Sequence, residues 1–290
     1  MNIIFQINGG MGKCIMATAV CEAIKKQYPK STLIVVSGYP DVFLNNPNVD
    51  RTFAFGGFSY FYEDYIEGKD FKVFAHDPYL ETSHLLQEEH LIATWCNMFD
   101  IKYDGEVPKV YLSSREQKFY STKFNFDKPI LLLQTNGGAL SDMKYSWARD
   151  IPRSVATAVI DQFKDSYTIV HIRREDQFQY DNTVSVTDNF RSLSVLISLS
   201  TKRLFIDSFA QHTAAALGLK STVCWIANNP YVFGYELHDN ILSNPFTTKP
   251  ELKGAYLSKF NISGDLLEFP YNNETEVFNI DQIVTSIKQQ

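Results

Sequence analysis

Apolar residues run together over Asn2–Ile7, and Asn8-Gly9-Gly10-Met11-Gly12 then interrupts them. From Ile15 to Tyr28 apolar residues recur at 15, 16, 19, 20, 23, 24 and 28. That spacing keeps one helix face dry and leaves Lys25 and Lys26 on the wet side. Pro29 stops the helix, and the β-branched, apolar Thr32–Val36 predicts a second buried strand. Strand, glycine turn, helix and strand in that order define a parallel βαβ unit. Further buried strands are predicted at Lys72–Ala75, Ile130–Leu133, Thr168–His171, Arg203–Ile206 and Thr222–Trp225. Helical patterns lie at Leu85–Phe99, Ile151–Phe163, Phe190–Leu199, Ala210–Leu217 and Asp281–Gln290. The alternation predicts an α/β protein with parallel sheets.

A charged stretch around Ser113–Lys128 ends in Asp127-Lys128-Pro129, ahead of a strand that runs into a second glycine turn, Asn136-Gly137-Gly138. The expected domains are therefore 1–126 and 127–290, two Rossmann-like halves, with the terminal helix able to pack back on the first. A length of 290 residues suits two such domains. Up to Lys123 the chain carries 12 basic and 15 acidic residues, and beyond it 15 and 18, within a formal charge of -6. Neither half is a basic footprint for nucleic acid, so no dedicated nucleic-acid surface is expected. The 22 Phe and 16 Tyr favour a large packed core or stacking surfaces. Cys14, Cys21, Cys96 and Cys224 form no CxxC pair, which suits a reducing compartment. The N-terminus does not read as a signal peptide, and no apolar run approaches the roughly 20 residues of a membrane span. A cytoplasmic location is expected, with peripheral membrane contact at most.

Gly9, Gly10 and Gly12 lie where backbone N–H groups and a helix dipole make an anion site, and equally where a tight turn needs glycine for its dihedrals alone. Gly12-Lys13 is part of a P-loop signature, but Ile7 and Cys14 replace its first glycine and its metal-binding hydroxyl. The ParA-type ATPase loop is approached, with Asn8 in place of the signature lysine, and the GGxG spacing does not fit a dinucleotide fingerprint.

The segment Leu204-Phe-Ile-Asp207-Ser208-Phe209-Ala210-Gln211-His212-Thr-Ala-Ala-Ala-Leu-Gly218 reads as a strand, a polar cap and a helix closed by glycine. N–H groups at Ser208 to Ala210 would point at an anion at a strand's carboxyl end, with His212 in the first turn. A capped helix with a satisfied histidine is the plainer alternative. On these residues the sequence resembles the heptosyltransferase-like glycosyltransferases (family 9), whose second domain carries a DSGxxHxAAALG-type segment; Phe209 replaces the glycine. The likeness extends to Gly9–Gly12, Thr18-Ala19, Ala23–Lys26, Tyr28-Pro29, Asn46–Asp50 and Lys144-Tyr-Ser-Trp147.

The resemblance implies a GT-B-like fold, two Rossmann-like domains facing across a cleft. It implies inverting transfer from a nucleotide-diphosphate sugar to a glycan, lipopolysaccharide-like or other hydroxyl acceptor, with no metal or other cofactor. Asp207, Ser208, Gln211 and His212 would hold the diphosphate. Asn136, Gly137, Lys144 and Arg173 would contribute contacts or positive charge, and Gly9–Lys13 would line the acceptor side. Arg173 reads equally as part of a surface Arg–carboxylate cluster. Trp225, at a strand end, is a candidate for stacking on the nucleotide base and equally a core residue. Lys13 stands where the family has its proposed catalytic aspartate, so a base must come from elsewhere, with Asp77 and Glu81 as candidates, although an Asp-Pro turn and a solvated glutamate are the plainer alternative for these two. Three alternatives stay open: an epimerase-like activity, a nucleotide-sugar binder without turnover, and a ParA-type ATPase.

Overall fold

The computed structural model describes residues 1–56, 58–137, 146–247 and 271–290. The chain divides into two compact units, Met1–Ser113 and Ser114–Gln290.

In the first unit, β1 (Asn2–Ile7), β2 (Thr32–Ser37), β3 (Arg51–Ala54) and β4 (Phe71–Phe74) form one sheet in the order β3-β2-β1-β4. All its pairings are parallel; Ile4, for example, lies opposite both Ile34 and Val73. Every strand's carboxyl end therefore falls on one edge, where the connecting loops can meet. Helix α1 (Met11–Gln27) follows the first glycine loop, buries Ile15, Met16, Val20 and Ile24, and ends just before Pro29, which disfavours helical backbone at the preceding residue. Phe5 meets Trp95 and Phe99 edge-on, with ring centroids 5.3 and 5.8 Å away. Phe53, Phe58, Phe61 and Tyr65 pack in a separate cluster with Ile4, Ile34 and Val36, so the short helix α2 (Phe61–Tyr65) is held by its aromatic rings.

The helix expected at Leu85–Phe99 is instead two, α3 (Thr82–Leu85) and α4 (Leu91–Met98). Gln87 takes a positive φ of 56°, and Leu86, which suggested a continuous dry face, is 62% exposed. His90 starts α4 afresh, its Nδ1 accepting from the Ile92 N–H at 3.2 Å.

In the second unit, six parallel strands run in the order β10-β9-β8-β5-β6-β7. They are β5 (Ile130–Leu133), β6 (Thr168–Ile172), β7 (Val184–Val186), β8 (Lys202–Ile206), β9 (Thr222–Trp225) and β10 (Asp239–Leu242). Their helices are α5 (Ser114–Ser121), α6 (Arg153–Phe163), α7 (Phe190–Leu199), α8 (Phe209–Ala216), α9 (Pro230–Phe233) and α10 (Ile280–Lys288). The division at Ser113 comes earlier than the expected 126/127 because α5 packs on α7, where Arg191 pairs with Glu116 at 2.6 Å. The edge strands β3, β7 and β10 escaped the hydrophobic reading because each is short and partly exposed.

The terminal helix α10 lies on this second unit, burying Ile283, Val284 and Ile287 with Val155, Val159 and Phe163. Gln290 clamps it to the sheet, Oε1 accepting from the Arg203 N–H and Nε2 donating to the Arg203 carbonyl. Ile283→Ala removes a fully buried side chain from this seam and is expected to cost the second unit about 2–5 kcal/mol in urea unfolding. An unchanged midpoint would show that α10 does not secure the unit.

Candidate functional site

In the first unit the loop after β1 brings Lys13 inward. Gly9 has a φ of 113°, and a Cβ there would lie 2.9 Å from Lys13 Cδ, so glycine is required both by the backbone and by the lysine stem crossing it. Lys13 is buried, and its Nζ meets Asp77 Oδ1 at 2.6 Å. The ammonium also lies 4.3 Å from the Tyr79 ring centroid and 5.4 Å from that of Trp95. Burial lowers the Lys13 pKa, opposed by the bond to Asp77. The same Oδ1 of Asp77 accepts from the Tyr79 N–H at 3.0 Å, which fixes the carboxylate in the turn after β4. Two candidates that are 64 residues apart in sequence are thus one ion pair. Glu81 stands at the start of α3, half-buried and with no side-chain cap bond.

In the second unit the corresponding edge is organised by Asp150. This buried carboxylate accepts from the Gly137 N–H (2.8 Å), the Ser146 N–H (2.8 Å) and Asn136 Nδ2 (3.0 Å). The loop donors expected to face a phosphate at Asn136 and Gly137 are therefore committed to Asp150. The chain of bonds continues inward: Thr135 Oγ1 donates to Asn136 Oδ1, and His171 Nε2 donates to Thr135 Oγ1, both at 2.9 Å. Gln177 Nε2 closes the loop from the other side, donating to the Gly137 carbonyl at 2.7 Å.

Arg149 lies directly on this loop. A Cβ on Gly137 would come within 2.6 Å of the Arg149 Cζ, so the glycine is what admits the guanidinium. Among the described residues that half-buried guanidinium makes no hydrogen bond and no ion pair, although its charge is felt by both Asp150 and Asp207. Sequence reasoning missed Arg149 because it belongs to no motif. The expected cation Lys144, like Gly138, lies outside the described residues. Arg173 is turned onto its own loop, Nη1 donating to the Arg174 carbonyl at 2.8 Å and the Glu175 carbonyl at 3.2 Å.

The segment after β8 is braced by a residue from β5's exit. Gln134 Nε2 donates to Ser208 Oγ at 3.1 Å, and its Oε1 accepts from the Ala210 N–H at 3.3 Å. Ser208 occupies the cap position of α8 without making the side-chain cap bond, because Gln134 supplies it. The Ala210 N–H is therefore not open to an anion. Asp207 is buried, accepts from Asn228 Nδ2, and has its carboxyl pKa raised by burial. Gln211 is buried and donates to the Phe233 carbonyl at 3.1 Å. His212 is buried as well, with Nδ1 2.8 Å from the Tyr235 hydroxyl and Nε2 3.7 Å from Asp207. These three hold the turn from within, and Ser208 is left half-buried at its rim. Trp225 takes its core alternative: it is 1% exposed, with its indole N–H bonded to Asn240 Oδ1 at 2.8 Å, so neither ring face is open to a base.

No family model matches this sequence, and no curated protein matches it. Solved structures do. The glycosyl transferase family 9 protein from Veillonella parvula DSM 2008 superposes with a TM-score of 0.68 at 14% identity, over 99% of this chain and 96% of that one. The E. coli ADP-heptose lps heptosyltransferase II gives 0.68 at 12% identity, over 100% and 99%. The iron-containing dodecameric glycosyltransferase TibC from enterotoxigenic E. coli H10407 gives 0.69 at 12% identity, over 99% and 77%. The chain thus has the α/β fold of the GT-B glycosyltransferases, each unit built on a parallel sheet. Among the described residues no group of three or more His, Cys, Asp or Glu is placed to hold a metal ion. No helix among them is long and apolar enough to cross a membrane.

Two buried imidazoles support the second site from below. Burial lowers the pKa of His171, beside Thr135, and of His238, whose Nε2 donates to the Gln211 carbonyl, from 6.5 to about 4. Between those values the unfolded chain binds more protons than the folded one. Stability is therefore full above pH 6.5 and falls as pH drops toward about 4, each histidine contributing about 3 kcal/mol. Urea unfolding at pH 7.5 and pH 5 is expected to show this loss. In His171→Gln, which keeps a donor for Thr135, the pH dependence should flatten; an unchanged slope would mean that His171 does not titrate on unfolding.

Proposed function

We propose that this chain is a glycosyltransferase that takes a sugar from a nucleotide-diphosphate donor and passes it to a hydroxyl acceptor. The reading rests chiefly on one observation: on the loop leaving β5, at the carboxyl edge of the second sheet, the Arg149 guanidinium lies against Gly137 with no hydrogen bond or ion pair among the described residues. Open α/β sheets bind their ligands at this edge. The whole-chain likeness to ADP-heptose lps heptosyltransferase II supports the same class of donor.

In this reading Arg149, Ser208 and, after release from its own carbonyls, Arg173 hold the diphosphate. Asn136 and Gly137 shape the surface on which it lies. Asp207, Gln211 and His212 keep the β8–α8 turn in place. Transfer proceeds with inversion: the acceptor oxygen bonds to the anomeric carbon as the bond to the diphosphate oxygen breaks. Charge developing on the leaving diphosphate is stabilised by the guanidinium groups without any need for a metal ion. The acceptor proton goes to the second oxygen of Asp77, since its Oδ1 is tied to Lys13 and Tyr79. Lys13 acts through Asp77 as a positioning residue. Glu81 is the second candidate for the base. A cytoplasmic site of action fits an intracellular nucleotide-sugar pool.

Melting curves of the full chain with ADP-, GDP- and UDP-sugars test the donor site. Binding at 100 times Kd adds about 2.7 kcal/mol, so one nucleotide should raise Tm by several degrees. Arg149→Ala should lose most of that rise while melting normally without ligand. Asp77→Asn should keep the rise but slow release of nucleoside diphosphate from the bound donor by about 100-fold or more. No shift with any nucleotide would overturn the reading. A shift with no nucleoside diphosphate released under any acceptor would favour a binder without turnover.

A further inference from the structure

The carboxyl edge of the first sheet differs in chemistry from that of the second. The segments leaving its strands, 8–14, 38–48, 55–67 and 75–90, contain a single Lys or Arg, namely Lys13. That lysine is buried and already paired with Asp77. The same segments carry Asp41, Glu63, Asp64, Glu67, Asp77, Glu81, Glu88 and Glu89. A phosphorylated or carboxylated ligand approaching this edge would meet like charge and no available cation, at a cost in both encounter rate and affinity.

What the edge does offer is aromatic surface. Phe55, directly after β3, is 46% exposed, and its ring lies against Gly38 in the neighbouring loop, 4.0 Å from where a Cβ would stand. Tyr60, in the same loop, is 72% exposed and has a φ of 65°, a conformation unusual for an aromatic residue. Its neighbours Phe58 and Phe61 are anchored in the cluster over Ile34 and Val36, which turns Tyr60 outward. Leu80, three residues past Asp77, is 71% exposed. Single exposed apolar residues are ordinary, but here two aromatic ones stand in the one loop that leaves β3, while Leu80 stands in the loop that leaves β4 at the far side of the same sheet.

We propose that this edge is the acceptor site, and that it selects an uncharged saccharide, free of phosphate and carboxylate, whose C–H face packs on Phe55 and Tyr60. A pyranose ring has an apolar face and a hydroxyl rim, which suits a flat amphipathic ring with a polar tip, as in Tyr60. Glu63, Asp64 and Glu67, exposed in the same segment, accept hydrogen bonds from sugar hydroxyls and repel anionic glycans. The inference rests on the transferase reading above for the word acceptor; the saccharide preference itself is a property of the surface and is measured without turnover.

The test is an array carrying maltotriose, cellotriose and chitotriose beside uronic-acid and phosphorylated oligosaccharides of the same length, probed with the full chain. At least one neutral glycan should be retained tenfold better than every charged one. Phe55→Ser and Tyr60→Asn should each reduce that retention about tenfold; Asn tolerates the positive φ, so the second variant removes the ring without adding backbone strain. The nucleotide-induced rise in Tm, recorded on the same preparations, should stay as in the parent chain, which separates loss of this surface from failure of the donor reading. Equal or better retention of charged glycans, no retention of any neutral one, or unaltered retention in both variants would overturn the proposal.

Discussion

A buried carboxylate that accepts three hydrogen bonds holds the second sheet's edge together. Asp150 gives up its hydration on burial and is compensated by the N–H groups of Gly137 and Ser146 and by the Asn136 amide. Because those donors converge on one point, the loop after β5 has little freedom, and the Gly137 surface on which Arg149 lies is fixed. Removing the carboxylate would strand three donors at once and release the loop. Everything proposed for donor binding presupposes this arrangement. The first unit uses a buried charge in the same way, with Lys13 fixing Asp77 after β4, although there the partner is another side chain.

Much of the scaffold was readable because buried parallel strands are short continuous apolar runs. The strands Ile130–Leu133 and Thr222–Trp225 fall where the pattern put them, and so does the helix Phe190–Leu199. The pattern failed where exposure broke it: Leu86 faces solvent, so the run through Leu85–Phe99 is two helices, and the missed strands β3, β7 and β10 are short and largely exposed or half-buried.

The site was legible in part. The turn from Asp207 to His212 sits at a strand's carboxyl end, as its letters imply, yet its chemistry is turned around. Gln134, 76 residues away, takes the Ala210 N–H, and His212 and Gln211 face inward. Contacts of this kind have no spacing rule. The same holds for Lys13 with Asp77 and for Gly137 with Arg149, where each glycine or lysine is informative alone and the partner is visible only in three dimensions. Trp225 shows the converse, since an aromatic residue at a strand end reads alike whether it stacks on a ligand or fills the core.

The net charge of -6 masks a difference in chemistry between the two edges. The first is acidic and aromatic, and on the second the Arg149 guanidinium has no ion pair among the described residues. An evenly acidic composition gives no hint of that difference.

The most direct measurement is a crystal structure of the chain with the nucleoside diphosphate that stabilises it best. The account predicts the diphosphate at the carboxyl edge of the second sheet, over Gly137, within hydrogen-bond distance of Arg149 and Ser208. A diphosphate bound instead at the Gly9–Lys13 loop, or one that leaves Arg149 and Ser208 untouched, would contradict it.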